Sequence, residues 1–135
     1  MTSVGVTASA LPNPMVDFAE DDLPGFTTAD PGGPVCMLNL VRFHPAGGRE
    51  LFARYWEAVL PVGARYGAEL VYFGDGAVPL VSGAGRGWDA VLIVRYPSRQ
   101  AFVDTVTDPD YLAAAHLRTE ALIEAVLQPT TSVVG

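Results

Sequence analysis

The stretch from Trp88 to Leu122, WDAVLIVRYPSRQAFVDTVTDPDYLAAAHLRTEAL, constrains the fold more than any other part of the chain. Ala90, Leu92 and Val94 alternate with Val91 and Ile93, so both faces of a strand are apolar and each needs a cover. Ser98 stands directly after Pro97 and ahead of an apolar-periodic segment with Ala101, Phe102, Thr105 and Val106. Its hydroxyl can accept from the first unpaired N–H groups of a short helix. Asp108-Pro109-Asp110 repeats the start signal, with Asp as N-cap, Pro at the first helical position and a second Asp beside the positive helix end. The pattern predicts a longer helix from there to about Leu127.

Upstream, Val35 to Phe43 (VCMLNLVRF) reads as a strand, and Pro45-Ala46-Gly47-Gly48 breaks it off. Arg49 to Tyr66 carries Phe52, Tyr55, Trp56, Val59 and Val62 near a helical period, with a kink expected at Pro61 and Gly67 as C-cap. Ala68 to Phe73 is a second strand, Gly74-Asp75-Gly76 a turn or bulge, and Val78 to Val81 its continuation or a short extra strand. Thr130 to Val134 reads as a closing strand. The order β-α-β-β-α-β is the ferredoxin-like split βαβ, an α+β fold with an antiparallel sheet and its helices on one face. The simplest cover for the second apolar face of the Trp88 to Tyr96 strand is the sheet of another copy, so a homodimer is expected. Residues 1–34 form an acidic, Pro/Gly-rich arm without a basic residue, ahead of a domain at 35–135. Its apolar residues Leu11, Met15, Val16, Phe18, Leu23 and Phe26 can dock it on the body or on a partner subunit.

Charge and composition exclude several classes of chemistry. The formal net charge is -7, and all eight basic residues are arginine. Schiff-base catalysis, a phosphate-loop lysine and a Ser-Lys dyad are therefore unavailable. No basic stripe is present to neutralise phosphates, which argues against nucleic acid and anionic membrane as partners. No run reaches the roughly 18 apolar residues of a membrane span, and no secretory signal pattern opens the chain, so a cytoplasmic protein is expected. The single cysteine, Cys36, rules out an internal disulfide and reads as a buried thiol. His44 and His116 are far apart in sequence and the scattered carboxylates make a poor ligand set, so no metal is expected. Gly83-Ala84-Gly85-Arg86-Gly87 leads into a strand rather than a helix and is no dinucleotide fingerprint. No cofactor is expected.

The remaining candidates are few. His116 is the one helical histidine and the best acid/base group, because imidazole titrates near working pH. On a face with Leu112 and Ile123 it would point into the space between sheet and helices; on a face with Glu120 it would form a surface pair. Asn39 and Arg42 have opposite strand parity, so only one reaches a pocket on the helix side. There, Asn39 would hold a substrate carbonyl, or Arg42 would stabilise an enolate. The bland reading of Arg42 is a strand-end ion pair with Glu69 or Asp89. Asp89 opens a strand, where acidic residues are disfavoured, so a partner among Arg42, Arg95, Arg118 and His116 is expected. Tyr55, Tyr72, Trp88 and Tyr111, with Trp56 and Phe73, supply aromatic surface for a flat or hydrophobic ligand or simply for a core.

Four segments, MLNLVRF, YWEAVLPVGARYG, WDAVLIVRYPSRQAF and DPDYLAAAHLRTEAL, resemble the bacterial family called domain of unknown function thirteen-thirty, in the dimeric α/β-barrel superfamily. The likeness covers about residues 35–128. It is carried most specifically by Trp88-Asp89, by Tyr96-Pro97-Ser98 with Phe102, and by Pro109 and Tyr111 with His116 and Arg118. The resemblance implies a dimeric α/β barrel with a pocket between sheet and helices in each protomer, and it supplies no reaction. Superfamily members include cofactor-free monooxygenases, polyketide cyclases and muconolactone-type isomerases, and fold alone does not choose among them.

The reading that follows is a cofactor-independent enzyme of bacterial secondary or catabolic metabolism, acting on a small hydrophobic, carbonyl- or phenol-bearing, polyketide-like molecule. His116 would move a proton in a cyclisation, dehydration or isomerisation, with Arg42 and Asp89 as catalytic partners and Asn39, Tyr55, Tyr72, Trp88 and Tyr111 binding the substrate. A cofactor-free monooxygenase shares the same first step. The rival is a non-catalytic small-molecule-binding or accessory dimer, which predicts His116 on the surface and a pocket filled by its own rings.

Overall fold

A computed structural model of the chain describes residues 13–29 and 32–134. Four strands, β1 (Val35–Phe43), β2 (Glu69–Asp75), β3 (Ala90–Tyr96) and β4 (Leu122–Thr130), form one antiparallel sheet in the order β2-β3-β1-β4. Helices α1 (Leu23–Thr28), α2 (Gly48–Arg65), α3 (Arg99–Val106) and α4 (Pro109–Ala121) complete the described elements, after a single 3-10 turn at Glu20–Asp22. This is the ferredoxin-like α+β arrangement.

Local chemistry sets most boundaries. Ser98 Oγ accepts from Ala101 N at 3.0 Å and Asp108 Oδ1 from Asp110 N at 2.8 Å, so each of α3 and α4 starts on a side-chain cap. Helix α2 runs through Pro61 and ends where Gly67, at φ +87°, donates to the Ala64 carbonyl. Gly76 closes the end of β2 so tightly against the Trp88 carbonyl that no side chain fits there.

Two expectations fail at the C-terminus, for one reason. The last helix stops at Ala121 rather than near Leu127, and β4 occupies Leu122–Thr130, leaving 131–134 outside any strand. No Gly or Pro marks the junction. The backbone turns extended at Leu122 (φ -115°, ψ 146°) because the next residues find hydrogen-bond partners along the whole length of β1. Long-range pairing overrides local helix preference here. Residues 78–81 likewise form no strand, and Val78, Leu80 and Val81 stand exposed.

Strand alternation divides the sheet into two unlike faces. Met37, Asn39 and Val41 of β1 and Ala90, Leu92 and Val94 of β3 are buried under the helices. Cys36, Leu38, Leu40, Val91 and Ile93 face the other way and are half-buried. The described residues leave that second face uncovered.

Residues 13–29 of the arm dock on the chain's own body. Val16 enters the core beside Tyr55 and Ala114, and Leu23 enters beside Phe102. Phe18 and Phe26 pack on the Phe102 ring at 6.1 and 5.3 Å, and the Met15 carbonyl accepts from Ala125 N at 3.0 Å. Leu11 lies outside the described residues.

The cap at Asp108 gives the fold a pH dependence. The Tyr66 hydroxyl, at 2.7 Å, is the main cause holding the Asp108 carboxyl below the ordinary carboxylate range, followed by the Asp110 N–H, with Arg65 adding its charge. A carboxyl lowered in the folded state stabilises it above the unfolded value of about 4 and loses that contribution as pH falls through the folded value. Asp108→Asn is therefore expected to lower the melting temperature at pH 6 and to flatten its decline between about pH 5 and 2, read by thermal denaturation across that range.

Candidate functional site

Between the sheet and the helices lies a cavity of ≈ 620 Å³ of atom-free space, part of it open to solvent. Its floor is Met37, Asn39, Val94, Tyr96 and Leu127 of the sheet. Its walls come from Tyr55, Trp56 and Val59 of α2, Phe102, Thr105 and Val106 of α3, and Tyr111 and Arg118 of α4. The cavity separates two hydrophobic clusters, one around Phe52, Val59 and Leu92, the other around Val35, Val94 and Phe102. Leu60 and Leu70, both partly exposed, stand with Glu69 where it meets the edge strand β2.

The polar groups on this apolar wall are chiefly donors. Tyr55 and Tyr111 share a hydroxyl–hydroxyl bond of 2.8 Å. Burial raises Tyr55 well above the ordinary phenol range and also raises Tyr111 and Tyr96, so all three stay neutral at working pH. The mutual bond consumes one hydroxyl proton and leaves the other to donate. Asn39, 6% exposed, gives one amide N–H to the Met37 carbonyl at 3.3 Å. Two further N–H-bearing atoms, Trp56 Nε1 and Arg118 Nη2, are buried with no acceptor. An orphaned buried donor is uncommon and costly, and its natural explanation is a bound partner.

Arg118 is a buried cation, 7% exposed. Its Nη1 donates to the Val16 carbonyl of the arm and lies 3.6 Å from Asp17 Oδ1. Asp17 is itself held by the Thr119 hydroxyl at 3.0 and 3.1 Å and by Asn13 N at 2.7 Å. The arm thus supplies the counter-charge for the guanidinium on the cavity wall.

Of the residues singled out from sequence, Asn39, Tyr55 and Tyr111 meet at the cavity. His116 does not. It is exposed on the outer face of α4 with Leu112 and Glu120, so the expectation that it points into the interior is corrected. The helical period explains why: Tyr111, Ala114 and Arg118 fall on one stripe, and His116 is turned about 200° from Arg118. Arg42 lies on the open sheet face, where Nε donates to Glu124 Oε1 at 2.7 Å and the guanidinium sits 4.1 Å from the Trp88 ring centroid. This pair and stack remove both Arg42 and Trp88 from the cavity, and the ionic partner is Glu124 rather than Glu69 or Asp89. Tyr72 pairs with Ile93 across a bulge and is 54% exposed on that same face. Asp89 finds a backbone partner instead of a side chain: its Oδ2 accepts from Phe43 N at 2.8 Å, fastening the end of β1.

Arg118 was not among the site residues expected from sequence, and Trp56 was expected only as aromatic surface, with no part for its indole N–H. The signal for Arg118 was present, since a charged residue seven positions after Tyr111 and four after Ala114 stands within the apolar stripe of α4.

The family model described as Domain of unknown function (DUF1330) matches residues 46–128, more than half of the chain. The chain belongs to this family. The RPA0582 protein of unknown function from Rhodopseudomonas palustris is 31% identical with a TM-score of 0.80, over 89% of this chain and 98% of that one. A dimeric ferredoxin-like protein of unknown function from Bacteroides fragilis is 15% identical with a TM-score of 0.53, over 73% and 95%. A Bacteroides thetaiotaomicron protein assigned by name only to the antibiotic biosynthesis monooxygenases is 12% identical with a TM-score of 0.55, over 76% and 91%. These last two likenesses show the fold. Comparison with curated proteins gives no match. Among the described residues of this DUF1330 chain no helix is long and apolar enough to cross a membrane, and no group of three or more His, Cys, Asp or Glu side chains is placed to hold a metal ion.

The tyrosine pair is testable by itself. Tyr111→Phe leaves the Tyr55 hydroxyl buried without its partner and is expected to cost about 1–3 kcal/mol. Tyr55→Phe with Tyr111→Phe should cost less than the sum of the single changes, as measured by denaturant unfolding of all four proteins.

Proposed function

We propose that this DUF1330 protein binds a small molecule with an apolar, ring-bearing body and a carbonyl or phenol oxygen in the cavity under the helices, in each protomer of a homodimer. The observation that carries this reading is a pair of buried N–H groups without acceptors, on Trp56 and Arg118, among aromatic walls. An apolar pocket with a few convergent donors holds the body of such a ligand by burial and orients its oxygen by hydrogen bonds. Glycerol-sized polar metabolites would leave the rings wet, and a plain hydrocarbon would leave the donors orphaned.

A non-catalytic binding or accessory role fits this wall better than acid/base chemistry centred on His116, because His116 faces solvent. Glu69 is the single carboxylate among the wall residues, but its side chain is exposed and turned with Arg95, 3.8 Å away, toward the open sheet face, so it is not placed to take a proton from a ligand in the cavity.

The homodimer is supported by the open sheet face, where Leu38, Leu40, Val91, Ile93 and Val126 form a half-buried apolar patch. Contiguous apolar surface of this kind marks an interaction site. The Bacteroides fragilis and Thermobifida fusca proteins of the same fold are described as dimeric.

The two tryptophans allow a clean binding experiment, since Trp56 lines the cavity and Trp88 does not. Titration with 4-phenylbutan-2-one is expected to move the Trp56 indole N–H resonance and leave that of Trp88, with Leu70→Trp at the entrance weakening the effect at least about tenfold. Equal movement of both signals, or none, would sink the binding reading. Ile93→Asp is expected to turn the dimer into a monomer in sedimentation experiments while the Trp56 response persists.

A further inference from the structure

The Arg118 guanidinium is divided between two tasks. Its Nη1 is committed to the arm, through the Val16 carbonyl and Asp17, whereas its Nη2 is buried and unpaired on a residue of the cavity wall. Asp17 is no loose counter-ion. Its carboxylate accepts from the Thr119 hydroxyl with both oxygens and from Asn13 N, and its side chain is 18% exposed. The charge that Arg118 brings to the cavity wall is therefore that of an ion pair, close to zero, while one guanidinium nitrogen is still left without an acceptor.

Resting on the binding reading above, we propose that Asp17 makes the cavity selective for neutral carbonyl ligands and against carboxylates. In a low-dielectric interior a ligand carboxylate would have to share Arg118 with an anion already 3.6 Å from Nη1. The third charge would be buried without compensation, which costs far more than an unshared hydrogen bond. A ketone or quinone-like oxygen needs no countercharge and can accept from an N–H that is otherwise left without a partner. Glu69 brings no relief for an anion, being negative itself and already 3.8 Å from Arg95. Neutral-over-charged discrimination thus comes from a residue of the N-terminal arm, outside the stretch that the family model matches.

The experiment compares two probes of nearly the same shape, 4-phenylbutan-2-one and 3-phenylpropanoate, by the Trp56 indole N–H shift. The natural protein is expected to bind the ketone at least about tenfold more tightly than the carboxylate. Asp17→Asn, which keeps the size and the acceptor for Thr119, is expected to move that ratio at least about tenfold toward the carboxylate. Asp17→Glu, which keeps the charge, is expected to retain the ketone preference. A carboxylate preference in the natural protein, or an unchanged ratio in a folded Asp17→Asn protein, overturns the proposal and leaves the binding reading standing. Failure of the ketone to move the Trp56 signal overturns the binding reading, and this proposal with it. If Asp17→Asn does not fold, the ratio in the natural protein still decides.

Discussion

Everything in this molecule is arranged around β1, a strand paired along both of its edges. Because its neighbours β3 and β4 run antiparallel and in register, period-two alternation along β1 fixes which side chains of three strands face the helices. Asn39 comes to the cavity floor opposite Leu92 and Leu127, and Arg42 is sent to the other side opposite Glu124. A slip of β1 by one residue would turn Asn39 outward and Arg42 inward, placing an arginine in the core and leaving Glu124 without its partner. The cost of that exchange explains how a strand carrying two polar residues in its interior still has one defined register.

The second constraint is electrostatic. A buried guanidinium needs a partner, and the partner of Arg118 comes from about a hundred residues earlier, through the Val16 carbonyl and Asp17. The described part of the acidic arm, residues 13–29, therefore belongs to the core and the site rather than hanging from them. Its aromatic residues secure the other end, with Phe26 packed against Phe102 and covered by Arg99, whose Nη1 donates to the Phe26 carbonyl.

Much of the fold was legible in local patterns. The bounds of β1, the caps at Ser98 and Asp108, and the break at Gly67 each follow from the chemistry of a few adjacent residues. The α4–β4 junction was not, because nothing between Ala121 and Gln128 stops a helix; the deciding partner, β1, is some eighty residues away. The site was legible by half. Strand parity separated Asn39 from Arg42, and the aromatic residues named for a pocket included Tyr55 and Tyr111, though not their hydroxyl–hydroxyl bond. Attention to titration favoured His116, whereas the helical stripe through Tyr111 and Ala114 pointed to Arg118. The partner of Asp89 was missed because it is a backbone N–H, which sequence spacing does not display.

The division of Arg118 also bears on what chemistry the cavity can support. Stabilising an enolate asks a site to favour the negative state of the ligand over its neutral one, and a net cation close to the oxygen does this best. With Asp17 in place, the guanidinium keeps its geometry and loses much of its net field, so ground state and enolate are held more nearly alike. Uniform binding of that kind holds a ligand without lowering the barrier to its conversion. The same ion pair that selects a neutral carbonyl thus weighs against rapid enolisation, and the arm that completes the site inclines it toward carrying a molecule rather than transforming it.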